Sequence, residues 1–303
     1  MFALLCQVAL ASDGAYVVGP GEASLYAGFD AERITRLATS SGSYADDVIE
    51  VDQGLSKFTT KAIVSYGLAP RVELQLVVPW SYNHANRTDG GLCTALGEGC
   101  AVTKGFGVFE ARTKLLLLDE LDGAPLSLAL GPEVRLGQLT WATRDRVTNL
   151  GEGTFDAGGM LGLGKSGSFA KGYWATSLTA RARYRFPNTE VAGNAAPGWE
   201  TEGYLELLLA PTGNWAIGPD VAWFFRPTGT DVETSDFSDP DWIAALRVEK
   251  VAAGGSVHLR GRGGVTWSAG VFHNVWAVNN PTDALLVTGG VQVSRLGAGR
   301  EER

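Results

Sequence analysis

Gly105–Gln138 reads GFGVFEARTKLLLLDELDGAPLSLALGPEVRLGQ, and its alternation decides the fold. In the first half, the charged residues Glu110, Arg112 and Lys114 interleave with Phe109, Ala111, Thr113, Leu115 and Leu117. After the acidic turn Asp119–Pro125, Leu126, Leu128, Leu130, Val134 and Leu136 interleave with Ser127, Ala129, Gly131, Glu133 and Arg135. A period of two means strand, because successive side chains leave a strand on opposite faces. One face here is continuously apolar, and the other carries charges of both signs. Strands with a lipid-facing apolar side and a polar interior predict an all-β fold, a transmembrane antiparallel up-and-down β-barrel.

The same parity recurs outward along the chain. Glu73 opposes Leu74 and Leu76; Arg181, Arg183 and Arg185 oppose Leu178, Ala180 and Tyr184; Glu200, Glu202 and Glu206 oppose Leu205, Leu207 and Leu209. Asp220 and Arg226 oppose Ile217, Val221 and Trp223, and Arg247 and Glu249 oppose Trp242, Leu246 and Val248. His258, Arg260 and Arg262 oppose Val257, Leu259 and Val265. With Lys61, Glu22 and Asp156, these charges form the expected lumen-lining set, close to balanced in sign. An Arg or Lys at mid-bilayer on the lipid face costs about 2–4 kcal/mol, so this many charges require an inward face. Trp80, Trp174, Trp199, Trp215, Trp242 and Trp267 fall near expected strand ends, as interfacial girdles require.

Twelve strands are expected, with six long loops alternating with five tight turns near Ala69, Gly123, Gly167, Thr212 and Gly254. In this class the long loops face outward and the short turns face the periplasm. The last three strands are expected at Trp242–Val251, Ser256–Trp267 and Asp283–Ser294, the first two joined by the turn Ala252–Gly255. Residues 1–11 read as a truncated secretory signal ending in Ala9-Leu10-Ala11, 12–295 as the barrel and 296–303 as a polar tail. The net charge of −8 and the pI near 5.0 disfavour nucleic acid as a partner. The expected partners are outer-membrane lipid, the barrel-assembly machinery and a small solute, and the expected location is the bacterial outer membrane.

Tyr66-Gly67-Leu68, Arg71-Val72-Glu73-Leu74, Val78-Pro79-Trp80 and Gly105-Phe106-Gly107-Val108 resemble the outer-membrane barrels of the MetA-pathway of phenol degradation family. That resemblance implies a transporter-like barrel, distantly similar to channels for hydrophobic compounds. The chain departs from the pattern at Leu136-Gly137-Gln138, where Pro-Thr-Gly is expected, and in ending without a terminal aromatic residue.

Cys93 and Cys100 share one long loop, and in an oxidising compartment they are expected to form a disulfide. His84 is the nearest further ligand candidate, so the sequence predicts no metal site there and no cofactor elsewhere. The acidic loop Asp231–Asp241 lacks EF-hand spacing and reads as solvated.

Three functions remain in view. One is a channel or transporter for small solutes, with a basic ladder of Arg181, Arg183, Arg185, Arg260 and Arg262 along the path. Another is a structural or receptor barrel whose lumen is filled by salt bridges. The third, an outer-membrane hydrolase, needs a Ser–His pair on the outer wall. Of His84, His258 and His273, only His258 falls in an expected strand, and its parity points inward.

Overall fold

A computed structural model describes residues 14–38, 48–85, 103–137, 154–169, 172–187, 198–228, 247–278 and 281–294. The signal segment, Cys93, Cys100, Trp242, the loop 231–241 and the tail 296–303 lie outside the described residues.

The chain is a closed antiparallel barrel of twelve staves. The strands are β1 Ala23–Ala38, β2 Val48–Ala69, β3 Val72–Ala85, β4 Thr103–Phe106, β5 Phe109–Leu118, β6 Ser127–Leu136 and β7 Phe155–Phe169. They continue as β8 Gly172–Arg185, β9 Gly198–Thr212, β10 Trp215–Arg226, β11 Val248–Arg260, β12 Val265–Val278 and β13 Pro281–Ser294. Each stave pairs with its neighbours in sequence, and β1 pairs with β13 to close the ring. Strands β4 and β5 form a single stave. The first pairs with Trp80–Asn83 and the second with Val72–Val77 of β3. The break falls beside Pro79, whose carbonyl accepts from the Gly107 N–H but which has no N–H to return.

Burial follows the alternation. On β5, Arg112, Lys114 and Leu116 are buried, while Ala111, Leu115 and Leu117 are exposed. Leu74, Leu76, Leu130, Leu205, Leu207, Leu209 and Ile217 join the exposed apolar face that a bilayer covers. Trp174, Trp215 and Trp267 sit within the first three residues of their strands, at the end with the short turns. Near the other rim, Phe155, Phe186, Tyr184 and Trp199 form a chain of ring contacts 5.1–5.6 Å apart.

Three expectations about connections need correction. The last short turn is not Ala252–Gly255. Strand β11 runs through it, and the chain turns at residues 261–264, where Gly263 and Gly264 have φ of 69° and 79°. Gly254 serves close approach instead, since a Cβ there would sit 2.1 Å from the Val271 carbonyl oxygen. Gly167 likewise lies within β7, and the turn falls between Phe169 and Gly172. Finally, β1 and β2 extend into the expected first long loop, and only two residues separate β12 from β13, where a long loop was expected.

Candidate functional site

The register places opposite charges side by side on the inner face. Across β5 to β8 one row reads Glu110, Arg135, Asp156, Arg185. The next reads Arg112, Glu133, Gly158, Arg183, with Glu200 of β9 following. Arg183, fully buried, is the hub. Its guanidinium reaches Glu200 Oε1 and Glu202 Oε2 at 2.6 Å each, and it pairs with Glu133 two strands away. Gly158 makes that reach possible, because a Cβ there would lie 2.7 Å from the Arg183 Cα. Arg181 pairs with Glu202 at 2.7 Å and Glu133 at 3.3 Å, and Arg135 pairs with Glu200 at 2.9 Å. Arg185 bonds Asp156 at 3.4 Å and Glu200 at 3.3 Å, while Arg112 pairs with Glu110 and, at 3.2 Å, with Glu133. Five carboxylates thus meet five guanidinium groups in one lattice. Buried charges persist only when partnered this closely.

At the short-turn end, the segment before β1 crosses the interior. Its Val18 N–H donates to Glu73 Oε2 at 2.6 Å, and Lys114 Nζ donates to the Tyr16 carbonyl at 2.9 Å. Glu73 and Lys114 also pair at 3.3 Å, both fully buried. The Tyr16 hydroxyl donates to Glu120, which folds back from the β5–β6 turn and also accepts from the Ser166 N–H at 3.0 Å. Burial, reinforced by the Glu120 carboxylate, pushes the Tyr16 phenol above its usual range, so it stays the donor. The barrel makes room with glycine. A Cβ at Gly162 would lie 3.0 Å from the Ala15 Cα, and one at Gly164 would lie 3.2 Å from the Tyr16 ring.

The rest of the interior holds a cavity of about 360 Å³ along β10–β13, β1 and β2. Its lining includes Tyr26, Asp30, Glu32, Lys61, Tyr204, Glu206, Lys250, Ser256, His258, Phe272 and Asn274, with Ser177 and Thr179 of β8 beside Glu206 and Tyr204, and Gly14 among them. Lys61 pairs with Asp30 at 3.4 Å and stands 6.0 Å from the Tyr26 ring centre. His258 Nε2 lies 2.9 Å from Glu206 Oε1 and 3.2 Å from Ser256 Oγ. Both partners meet the same nitrogen. A hydrolytic relay needs serine on one ring nitrogen and carboxylate on the other.

Of the expected lumen set, Glu73, Glu110, Arg112, Lys114, Glu133, Arg135, Asp156, Arg181, Arg183, Arg185, Glu200 and Glu202 converge on the lattice or on the amino-terminal segment. Lys61, Glu206 and His258 line the cavity. Asp220 and Arg226 are buried on β10, and Arg260 ends β11 on the inward parity. One residue is misplaced by the sequence reading: Arg262 is exposed in the 261–264 turn. Glu249 is buried and bonds Arg247 at 2.7 Å, and the adjacent Lys250 lines the cavity. The error over Arg262 follows from placing a turn inside β11. The basic ladder therefore loses Arg262, and Arg260 lies at the strand end. His84 and His273 also lie in strands, and His273 is exposed on β12 across from Ala253 and Leu285. The sequence reading missed Tyr16, Val18 and Glu120. The inward glycines of β7 were the available signal that something else occupies that space.

Among solved structures, the fold is similar to the COG4313 outer membrane channel from Pseudomonas putida F1. The TM-score is 0.66 at 14% identity, over 92% of this chain and 97% of that one. The translocator domain of the autotransporter NalP from Neisseria meningitidis matches with a TM-score of 0.45 at 9% identity, over 90% and 88% of the two chains. A Pseudomonas aeruginosa FadL homologue matches with a TM-score of 0.42 at 10% identity, over 95% and 96%. No family model matches the sequence, that of the MetA-pathway resemblance included, and no curated protein matches it. The shared feature is the fold, that of a bacterial outer-membrane β-barrel.

Proposed function

We propose that this barrel is an outer-membrane channel for small solutes, with its route along the β10–β13, β1 and β2 wall. The carrying observation is the cavity of about 360 Å³ beside a lattice in which the charges are mutually paired. The lattice acts as filler. The hydroxyl, aromatic and charged groups of the cavity face the remaining space. The description of the COG4313 protein as a channel supports the reading. The segment Gly14–Gly19 acts as the closure at the short-turn end, so passage requires its displacement.

Planar-bilayer recording tests this. The intact barrel is expected to show small or infrequent currents, and a variant lacking residues 14–19 a steady conductance at least several times larger. If neither conducts, and neither admits small solutes into liposomes, the channel reading fails. The competing reading, a non-conducting structural or receptor barrel, would then hold. It draws on the same segment and lattice, taken as permanent filling.

Orientation has its own test. In a background with Cys6, Cys93 and Cys100 replaced by serine, Pro187→Cys should react with an impermeant thiol reagent on intact cells. Arg262→Cys should react only after the outer membrane is opened. The reverse pattern would place the short turns outside.

A further inference from the structure

Glu206 and Asp220 stand directly opposite each other on β9 and β10. Two like charges in that relation repel, and sheets normally avoid the arrangement. Elsewhere in this barrel each buried carboxylate of the lattice has a guanidinium against it. Here none appears among the described contacts. Among the described residues, Glu206 meets the His258 ring and the Ser256 hydroxyl, at 2.9 and 3.4 Å. Asp220 is 1% exposed, and both its carboxylate oxygens lack a hydrogen bond of ordinary geometry, although the Tyr204 phenol and Ser256 hydroxyl stand beside it. A buried, incompletely satisfied carboxylate is costly, and a cation beside it removes the cost.

The surroundings say which cation. Glu206 lines the cavity, with Asp220 directly across the strand pair from it, where Tyr204 and Phe272 approach with ring centres 6.3 Å apart. No group of three or more His, Cys, Asp or Glu side chains able to hold a metal ion occurs among the described residues. A bare divalent ion would lack its six or more oxygen ligands here. An organic ammonium needs less: carboxylates, a hydroxyl and ring faces for its charged head and apolar body. The cavity lining itself sets Asp30, Glu32 and Glu206 against Lys61 and Lys250, and Asp220 beside Glu206 adds a further carboxylate.

We infer that this cavity is a binding site for small primary ammonium compounds with an apolar or aromatic body. The head sits between Glu206 and Asp220, and the body lies against Tyr204 and Phe272. This deepens the channel reading, and it rests on that reading only in treating the bound compound as a permeating solute.

Titration calorimetry of the detergent-solubilised full chain with 2-phenylethylammonium, 2-phenylethanol and phenylacetate tests the site directly. The ammonium compound is expected to bind at least about tenfold more tightly than the other two, since only it meets the acidic pair. Asp220→Asn should weaken it about tenfold and leave 2-phenylethanol unchanged. Glu206→Gln serves as a second variant, with heat-modifiable mobility reporting that each barrel is folded. Equal binding of the three compounds overturns the inference. So does preference for the anion, absence of saturable ammonium binding at millimolar concentration, or indifference to both substitutions. Ammonium binding without conductance would keep the site and sink the channel. Conductance without ammonium preference would do the opposite.

Discussion

Arg183→Leu is expected to destabilise the folded barrel by about 3–5 kcal/mol, the cost of leaving buried charges without their partner. The guanidinium is fully buried and serves Glu133, Glu200 and Glu202 together, so its loss removes a shared partner from three carboxylates at once. Urea or heat titration of the refolded protein in lipid measures the change. Adding Glu200→Leu should recover part of the loss, because it removes one of the carboxylates that Arg183 had neutralised. Arg71→Leu breaks an exposed pair with Asp122 and should change nothing measurable. The prediction separates filler from path. If the arginine row lined open water, the variant would stay stable and its ion selectivity would shift instead. A loss no larger than that of Arg71→Leu would refute the lattice as a structural element.

Leu205→Arg is expected to cost about 2–4 kcal/mol and to lower the yield of membrane-inserted, heat-modifiable barrel. Leu205 is the central residue of the fifteen in β9 and is exposed on the apolar face, so the charge would sit near mid-bilayer. Ala222→Arg, on the next strand but lining the cavity, should insert normally. Equal loss from both would contradict the assignment of faces. Ala129, although inward by alternation, makes a poor control. It is fully buried, and its cross-strand neighbour Gly162 has the Ala15 backbone against it. An arginine at 129 would collide with the segment that crosses the lumen.

The sequence by itself determined the class of fold, the number of staves and the face on which nearly every charge stands. Glu110, Arg112 and Lys114 on β5, and Arg181, Arg183 and Arg185 on β8, could be assigned because strand periodicity is local and exact in phase. The reading failed where phase was lost. Ala252-Ala253-Gly254-Gly255 looks like a turn, but its glycines admit the neighbouring backbone, and the error carried Arg262 into the lumen. Only the tertiary structure decided what the inward residues do. Whether Arg183 meets Glu133, two strands away, depends on register and on the gap left by Gly158. That Glu206 and Asp220 meet no arginine among the described residues, while Glu200 and Glu202 do, depends on which part of the closed ring each side chain faces. The placement of Tyr16 against Glu120 joins residues about a hundred positions apart. Alternation tells a strand which side is inside. It carries no information about what the opposite wall, or a passing segment, brings to meet it there.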